Sequence, residues 1–209
     1  MEQEMLQENA HQGEENRTQF GKPLVVNLIG SPGCGKTTLL EKTLAALQQE
    51  YRMAVIEGDL QTDNDARRVA AAGVQAVQIN TEGGCHLNSS MISEALQALD
   101  CEGLDILFIE NVGNLVCPTE FDCGEDAKIA LLSVTEGDDK PQKYPYLFHK
   151  ARAMVLNKID LLPYVDFDVH KARAHPCALN ADLAVYRYRS VVVGAQAFDT
   201  FQSRRLSCT

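Results

Sequence analysis

From residue 22 onward, short apolar runs alternate with longer stretches whose apolar side chains recur at helical spacing. PLVVNLIG (23–30), MAVIEG (53–58) and VQAVQIN (74–80) read as buried strands. LDILFIENVG (104–113), KIALLSVTE (128–136) and RAMVLN (152–157) are further runs of the same kind. Between them, KTTLLEKTLAALQQEY (36–51) carries Leu40, Leu44 and Leu47 on one helical face, and HLNSSMISEALQALD (86–100) carries Leu87, Met91, Ala95 and Leu99. TDNDARRVAAAG (62–73) is also helical, and DVHKARAHPCALN (168–180) more weakly so, interrupted by Pro176. LAVYRYRS (183–190) predicts a last strand and FDTFQSRRL (198–206) a short last helix. Strands separated by helices imply an α/β fold, with a mostly parallel sheet, right-handed crossovers and helices on both faces. Ligands on such a sheet bind beyond the C-terminal ends of the strands.

Residues 1–21 break this pattern. They are rich in Glu, Gln and Asn with few apolar side chains, and they are expected to be a disordered acidic arm ahead of a single domain over 22–209. The 209 residues suffice for one α/β domain, and a hydrophobic fraction of 45% supports a core without disulfide staples. A net charge of -10 argues against a broad nucleic-acid or anionic-membrane surface, though not against one phosphate pocket built from backbone N–H groups. No stretch has the length or character of a signal peptide or membrane span, and the seven cysteines lack a framework spacing. A cytoplasmic location with free thiols is expected.

Three groups of residues carry chemistry. Gly30-Ser31-Pro32-Gly33-Cys34-Gly35-Lys36-Thr37 fits G-x-x-x-x-G-K-[ST] between a predicted strand and a predicted helix, the context of a phosphate-binding P-loop. Its backbone N–H groups and the helix N-terminus would face phosphate oxygens, with Thr38 following in the first turn. Lys36 would bridge the β- and γ-phosphates, and the Thr37 hydroxyl would ligate Mg²⁺. Cys34 is read as a tolerated small residue of the loop. Asn157-Lys158-Ile159-Asp160 follows the strand RAMVLN and matches the N-K-x-D element that reads guanine. Asp160 can accept from N1–H and from the exocyclic amine of guanine, whereas adenine offers an acceptor at N1. A site built on such bonds discriminates by about 10⁴–10⁵. The nearest candidate for a third base contact is Ser190-Val191. Carboxylates at two strand ends supply the Mg²⁺ shell: Asp59, also assigned a catalytic role with Lys36, and Glu110, which begins an E-x-x-G version of D-x-x-G whose Gly113 would lend its N–H to the γ-phosphate. Glu57 and Asp63 are read as caps or loop residues. No efficient general base stands out, so turnover is expected to be slow.

The third group is Gly83-Gly84-Cys85-His86 ahead of one helix and Cys117-Pro118 beyond the strand that carries Glu110. Thiolates and imidazole suit Ni²⁺ and Zn²⁺, and three protein ligands leave a position open for transfer. Against this stands the plainer reading of cysteine and histidine as packing residues, which is adopted for Cys101, Cys123, Cys177 and Cys208.

INTEGGCHLNSSMI (79–92), LFIENVGNLVCPTEFDCGE (107–125) and VLNKIDLLPYVDFD (155–168) resemble the HypB family of hydrogenase nickel incorporation proteins, SIMIBI-class P-loop GTPases. The likeness runs over about residues 22 to 180. It implies a P-loop NTPase fold and a GTP-dependent homodimer. It also implies delivery of nickel to the large subunit of [NiFe] hydrogenase alongside other accessory proteins. A metal site at the dimer interface would be built from Cys85, His86 and Cys117. Two features depart from the family. The arm has no cysteine and only His11, so an N-terminal nickel site is not expected, and the tail after Asn180 departs from the usual base loop and closing helix. A urease-type nickel GTPase would carry a Cys-Pro-His triplet, whereas Thr119 follows Cys117-Pro118 here. A nickel store that holds guanine nucleotide without turnover differs in releasing no phosphate. A GTPase chaperone for a cobalamin enzyme would leave the Gly-Cys-His segment without a role.

Overall fold

The computed structural model describes residues 2–21, 23–59, 73–180 and 183–188. All but the last residue of the expected helix over 62–73, together with Asp63, Ser190-Val191 and the last helix over 198–206, lie outside the described residues. In chain order the principal elements are α1 (Glu2–Phe20), β1 (Leu24–Gly30), α2 (Lys36–Leu47), β2 (Met53–Asp59), β3 (Gln75–Asn80), α3 (Ser89–Leu96), β4 (Ile106–Glu110), α4 (Cys117–Glu120), β5 (Ala127–Ser133), α5 (Lys140–Lys143), α6 (Pro145–Lys150), β6 (Ala153–Asn157), α7 (Val169–Leu179) and β7 (Ala184–Arg187). The strands form one seven-stranded sheet in the order β3-β2-β4-β1-β5-β6-β7, and every pair is parallel. The expected α/β architecture of a P-loop NTPase is thus present, and the strand order reverses at β1.

Side-chain alternation along the strands explains the two-sided cover. Met53 and Val55 of β2 pack with Leu39, Leu40 and Leu44 of α2 on one face. Ala54 and Ile56 face the opposite side, with Ile92, Ala95 and Leu96 of α3. This is the period-two pattern of a strand buried on both faces. Beyond β1, Ala130, Leu132, Met154 and Leu156 form a further cluster with Leu147 and Phe148 of α6 and Ala172 of α7. α3 is shorter than the periodicity suggested. Its N-cap is Asn88, whose side chain accepts from Met91 N, and Leu87 is buried ahead of the helix instead of in it.

The expectation of a disordered arm is corrected by the structure: residues 2–20 form α1, which packs along one stripe and is otherwise largely exposed. The buried positions Asn9, Gly13, Asn16 and Phe20 recur at helical spacing along one stripe. Three of the four are not large apolar residues, so hydropathy gives no amphipathic signal. Phe20 joins the α3-side core, while Asn9 and Asn16 dock through side-chain amides that bond to backbone. Hydrogen bonds made by buried amides here replace much of the apolar area that the arm lacks.

A candidate P-loop nucleotide cleft with an adjoining thiol–imidazole cluster

The loop between β1 and α2 opens into a cleft of about 430 Å³ lined by Gly33, Gly35, Lys36, Thr37, Thr38, Glu110, Gly113 and Lys158, among others. Gly35 sits at φ 96° as the N-cap of α2, and a Cβ there would lie 2.5 Å from Asn157 Nδ2. Only glycine meets both the left-handed backbone and that close approach. Lys36 is 8% exposed, with Nζ 3.3 Å from the carbonyl of Gly30 and 3.5 Å from that of Ser31. Its ammonium is thus held inside the loop it is expected to serve. Cys34 is fully buried, and that burial pushes its thiol up to about 11, with the nearby Lys36 charge opposing. It is neutral at physiological pH and packs, as expected of a tolerated loop residue.

The N-K-x-D segment is joined to the phosphate loop. Asn157 Nδ2 donates to the Cys34 carbonyl at 2.8 Å, and its Oδ1 accepts from Lys158 N at 2.8 Å. Lys158 adopts φ 59°, and its Nζ donates to the Gly33 carbonyl at 2.7 Å. Asp160 lies half-buried in the following 3₁₀ turn, Ile159–Tyr164. The turn is braced by Tyr188, whose carbonyl accepts from Ile159 N.

At the floor, Thr37 Oγ1 donates to Glu110 Oε1 at 2.8 Å. Glu110 pairs in register with Glu57 across β2 and β4, and both are buried, at 4% and 2% exposure. Glu57 was read from sequence as a cap, yet it lines the cleft beside Gly58. A cation placed near them would favour two such neighbouring carboxylates in their ionised form. Together with the Thr37 hydroxyl they form an all-oxygen donor set that fits Mg²⁺. Asp59 ends β2, and its side chain lies outside the described residues.

Cys85, His86 and Cys117 converge beside this cleft, with one ligand atom from each lying within 4.8 Å of the others. Cys85 Sγ stands 3.0 Å from Cys117 Sγ and 3.5 Å from His86 Nδ1. Ligands at about 2.3 Å in tetrahedral array would stand about 3.8 Å apart, so little movement is needed to close on a metal. The adjacent Cys85 and His86 face one point because the chain turns just ahead of them. Glu82 takes φ 50°, Gly84 N donates to the Thr81 carbonyl, and Thr81 Oγ1 donates to the Gly84 carbonyl. Cys85 is exposed, and His86 and Cys117 are half-buried. The His86 ring stacks on Phe121 with centroids 3.8 Å apart. Burial lowers the His86 imidazole below its ordinary value, with Glu120 opposing, which favours the neutral ligand form. Hydrogen-bonded contact with the Cys85 sulfur, reinforced by burial, raises the Cys117 thiol.

Asn111 links the two sites, a role that sequence reasoning did not find. It follows Glu110 and is 1% exposed. Its Oδ1 accepts from Leu87 N at 3.1 Å and from Val112 N at 3.0 Å, while its Nδ2 donates to Asn27 Oδ1 at 3.3 Å. The residue after His86 is thereby fixed to the cleft floor.

This all-parallel sheet, with a glycine-rich loop feeding α2 and an N-K-x-D segment returning onto that loop, defines a P-loop nucleotide-binding domain. Residues 24–187 match the CobW/HypB/UreG nucleotide-binding domain, and the chain belongs to that family. It is 54% identical over 191 residues to a hydrogenase maturation factor HypB of Azotobacter chroococcum mcd 1, covering 90% of this chain and 62% of that one. It is 52% identical over 187 residues to that of Escherichia coli K12, covering 88% and 64%. The chain thus spans somewhat less than two thirds of the length of these curated relatives. Among solved structures, HypB from Helicobacter pylori in complex with nickel aligns with TM-score 0.83 and 40% identity, covering 88% of this chain and 87% of that one. The hydrogenase maturation factor HypB of Archaeoglobus fulgidus aligns with TM-score 0.80 and 37% identity, covering 87% and 90%. No described helix is long and apolar enough to cross a membrane.

Proposed function

We propose that this chain is a GTP-hydrolysing metallochaperone that helps deliver nickel to [NiFe] hydrogenase during its maturation. The observation that carries the proposal is the tie between the two sites: a two-thiol, one-imidazole cluster hydrogen-bonded through Leu87 and Asn111 into the floor of a P-loop cleft. The names of the relatives support the same reading. GTP is the nucleotide because Asp160 follows Asn157-Lys158 on a turn joined to the phosphate loop. In this reading Gly30, Gly33, Gly35 and Thr38 frame the phosphates, Lys36 neutralises charge at the β–γ bridge, and Gly113 N–H bonds the γ-phosphate. Thr37, Glu110 and Glu57 would hold Mg²⁺, joined by Asp59, which we also assign a catalytic role. The ion would supply further neutralisation of phosphate charge.

Nickel is cargo, taken as thiolate and imidazole complexes by Cys85, His86 and Cys117, with Zn²⁺ a competitor of similar ligand preference. The exposed side of the cluster suits a homodimer in the cytoplasm that meets the hydrogenase large subunit and other nickel-insertion proteins. Phosphate release from GTP and ATP, measured beside Ni²⁺ titration with GDP and with a non-hydrolysable GTP analogue, tests the proposal. Preferential GTP turnover and nucleotide-dependent nickel affinity are expected. Equal use of ATP and GTP would sink the guanine assignment, and nickel binding without phosphate release would favour a storage module.

A further inference from the structure

α1 makes side-chain hydrogen bonds to both segments that lead from the metal-ligating side chains, while Phe20 at its end packs into the core on the α3 side. One segment begins α3, where Ser89 lies just beyond Cys85, His86 and Leu87. The other is the turn Asp122–Gly124, which follows Cys117 by way of α4 and Phe121. Asn9 joins the two: its Oδ1 accepts from Ser89 N at 2.9 Å and Ser89 Oγ at 2.8 Å, and its Nδ2 donates to the Asp122 carbonyl at 2.9 Å. Asn16 joins them again, with Nδ2 donating to the carbonyls of Ser89 at 2.8 Å and Cys123 at 3.3 Å. Arg17 then pairs with both carboxylate oxygens of Asp122, at 2.9 and 2.7 Å.

These bonds are costly to lose. Asn16 and Ser89 are essentially buried, so an unmatched amide or carbonyl there has little access to water. Ser89 N is also one of the first N–H groups of α3, which no helical carbonyl can satisfy, and Asn9 on α1 supplies its acceptor. α1 and the Asp122–Gly124 turn approach closely at two glycines: Cβ atoms would lie 3.1 Å from Asp122 at Gly13 and 2.8 Å from the Gly13 carbonyl at Gly124. Phe121, the residue before the clamped turn, is the one on which the His86 ring stacks.

We infer that α1 is a clamp for the metal site: Asn9, Asn16 and Arg17 are positioning residues that hold the Cys85–His86 loop and the Cys117 segment at the spacing a thiolate–imidazole complex requires. The inference rests on the metal-site reading proposed above. Without the clamp the loops that carry the ligands must be ordered at the expense of binding. Partners that orient ligands in this way typically contribute about 10–100-fold in metal affinity.

The test uses the full chain. Ni²⁺ is titrated against a competing chelator into wild type, Asn9→Ala/Asn16→Ala and Arg17→Gln, following thiolate-to-nickel charge-transfer absorption, with GDP affinity measured on the same samples. Nickel affinity of the double variant falls by about tenfold or more and its absorption band weakens, while GDP affinity is unchanged. Arg17→Gln moves nickel affinity in the same direction by less. Asn9→Asp, which keeps an oxygen for the Ser89 N–H and hydroxyl, retains more nickel affinity than Asn9→Ala. Wild-type nickel affinity and absorption in the double variant overturn the inference. If the double variant fails to fold, Arg17→Gln decides alone: parallel loss of GDP and nickel affinity in it, or loss of neither, overturns the inference. A wild-type protein that shows no thiolate–nickel band overturns the underlying metal reading instead, so the two failures are told apart.

Discussion

Replacing Asn111 by alanine separates the cleft floor from the metal loop with the fewest atoms changed. The side chain satisfies three buried groups: Leu87 N, Val112 N and Asn27 Oδ1. Leu87 and Asn27 are fully buried and Val112 nearly so, so water reaches them poorly after the truncation. An unsatisfied buried group costs about 1–3 kcal/mol, and relaxation recovers part of it, so a net loss of about 2–4 kcal/mol is expected. For a domain of this size that lowers the thermal midpoint by roughly 5–15 °C. The informative part is the linkage. GTP and nickel affinities are expected to be coupled by about 5–150-fold in wild type, reciprocally. In Asn111→Ala the ratio of nickel affinities with GDP and with the GTP analogue should move toward one. Asn111→Asp keeps an acceptor for Leu87 N. The oxygen that then faces Asn27 can be met by turning the Asn27 amide, whose Nδ2 makes no hydrogen bond among the described residues. That variant should keep more of the ratio than alanine does. The assay is nickel titration in both nucleotide states with a thermal melt on each sample. A wild-type ratio in Asn111→Ala would refute the relay, whatever the melt shows.

Lys36→Ala should abolish GTP turnover in a phosphate-release assay, because the loop loses the one charge held inside it by Gly30 and Ser31. Asp160→Asn should weaken GTP and favour xanthosine triphosphate, read by nucleotide competition, since the new amide can donate to the O2 carbonyl. Cys117→Ala should remove the nickel absorption band and leave guanine preference intact. In wild type, nickel affinity should rise with pH. The Cys117 thiol is held above its ordinary value by its hydrogen-bonded contact with the Cys85 sulfur and must lose its proton to bind, whereas burial shifts His86 toward its neutral form. Each thiol proton released gives about tenfold per pH unit, lost as the pH falls, and a pH-independent affinity would exclude the thiols as ligands.

What could be read in advance follows from how far chemistry restricts residue type. A phosphate loop needs glycines and a lysine at fixed spacing, and guanine needs a carboxylate after Asn-Lys, so both were legible and both line or adjoin the cleft. Cys85, His86 and Cys117 were legible as residue types, but their convergence depends on a turn and a sheet order that no local pattern encodes. The place of Glu57 in the cleft was not legible, because a strand-end glutamate looks the same in sequence whether it caps a loop or lies in register with another carboxylate. Only the β2–β4 register sets it beside Glu110. α1 was misread because hydropathy registers apolar periodicity, and its buried stripe is periodic through Asn9, Gly13, Asn16 and Phe20. A run of Glu and Gln free of proline was consistent with a helix all along. Most partners of its asparagines are backbone groups, which leave no trace in sequence.

The sheet order also explains why the Cys85–His86 loop passes so close to the P-loop cleft. Cys85 follows the edge strand β3 and Cys117 follows β4, with β2 lying between those strands. The chain leaving β3 must therefore cross over the C-terminal end of β2 to reach its partner ligand. Leu87 makes that crossing, and it fits because residue 58 has no side chain: a Cβ on Gly58 would lie 2.7 Å from Leu87 Cγ. The crossing sets Leu87 N against Asn111, between Glu110 on the cleft floor and Val112 on the path to Cys117. Residues 57 and 58 thus serve both sites, Glu57 through its carboxylate toward the cleft and Gly58 through the space it leaves for the metal loop. On the proposed function, a change in charge at the cleft floor would act on the strand end over which the Cys85–His86 loop is folded. Coupling between the two sites would then run through this short path of Leu87 and Asn111.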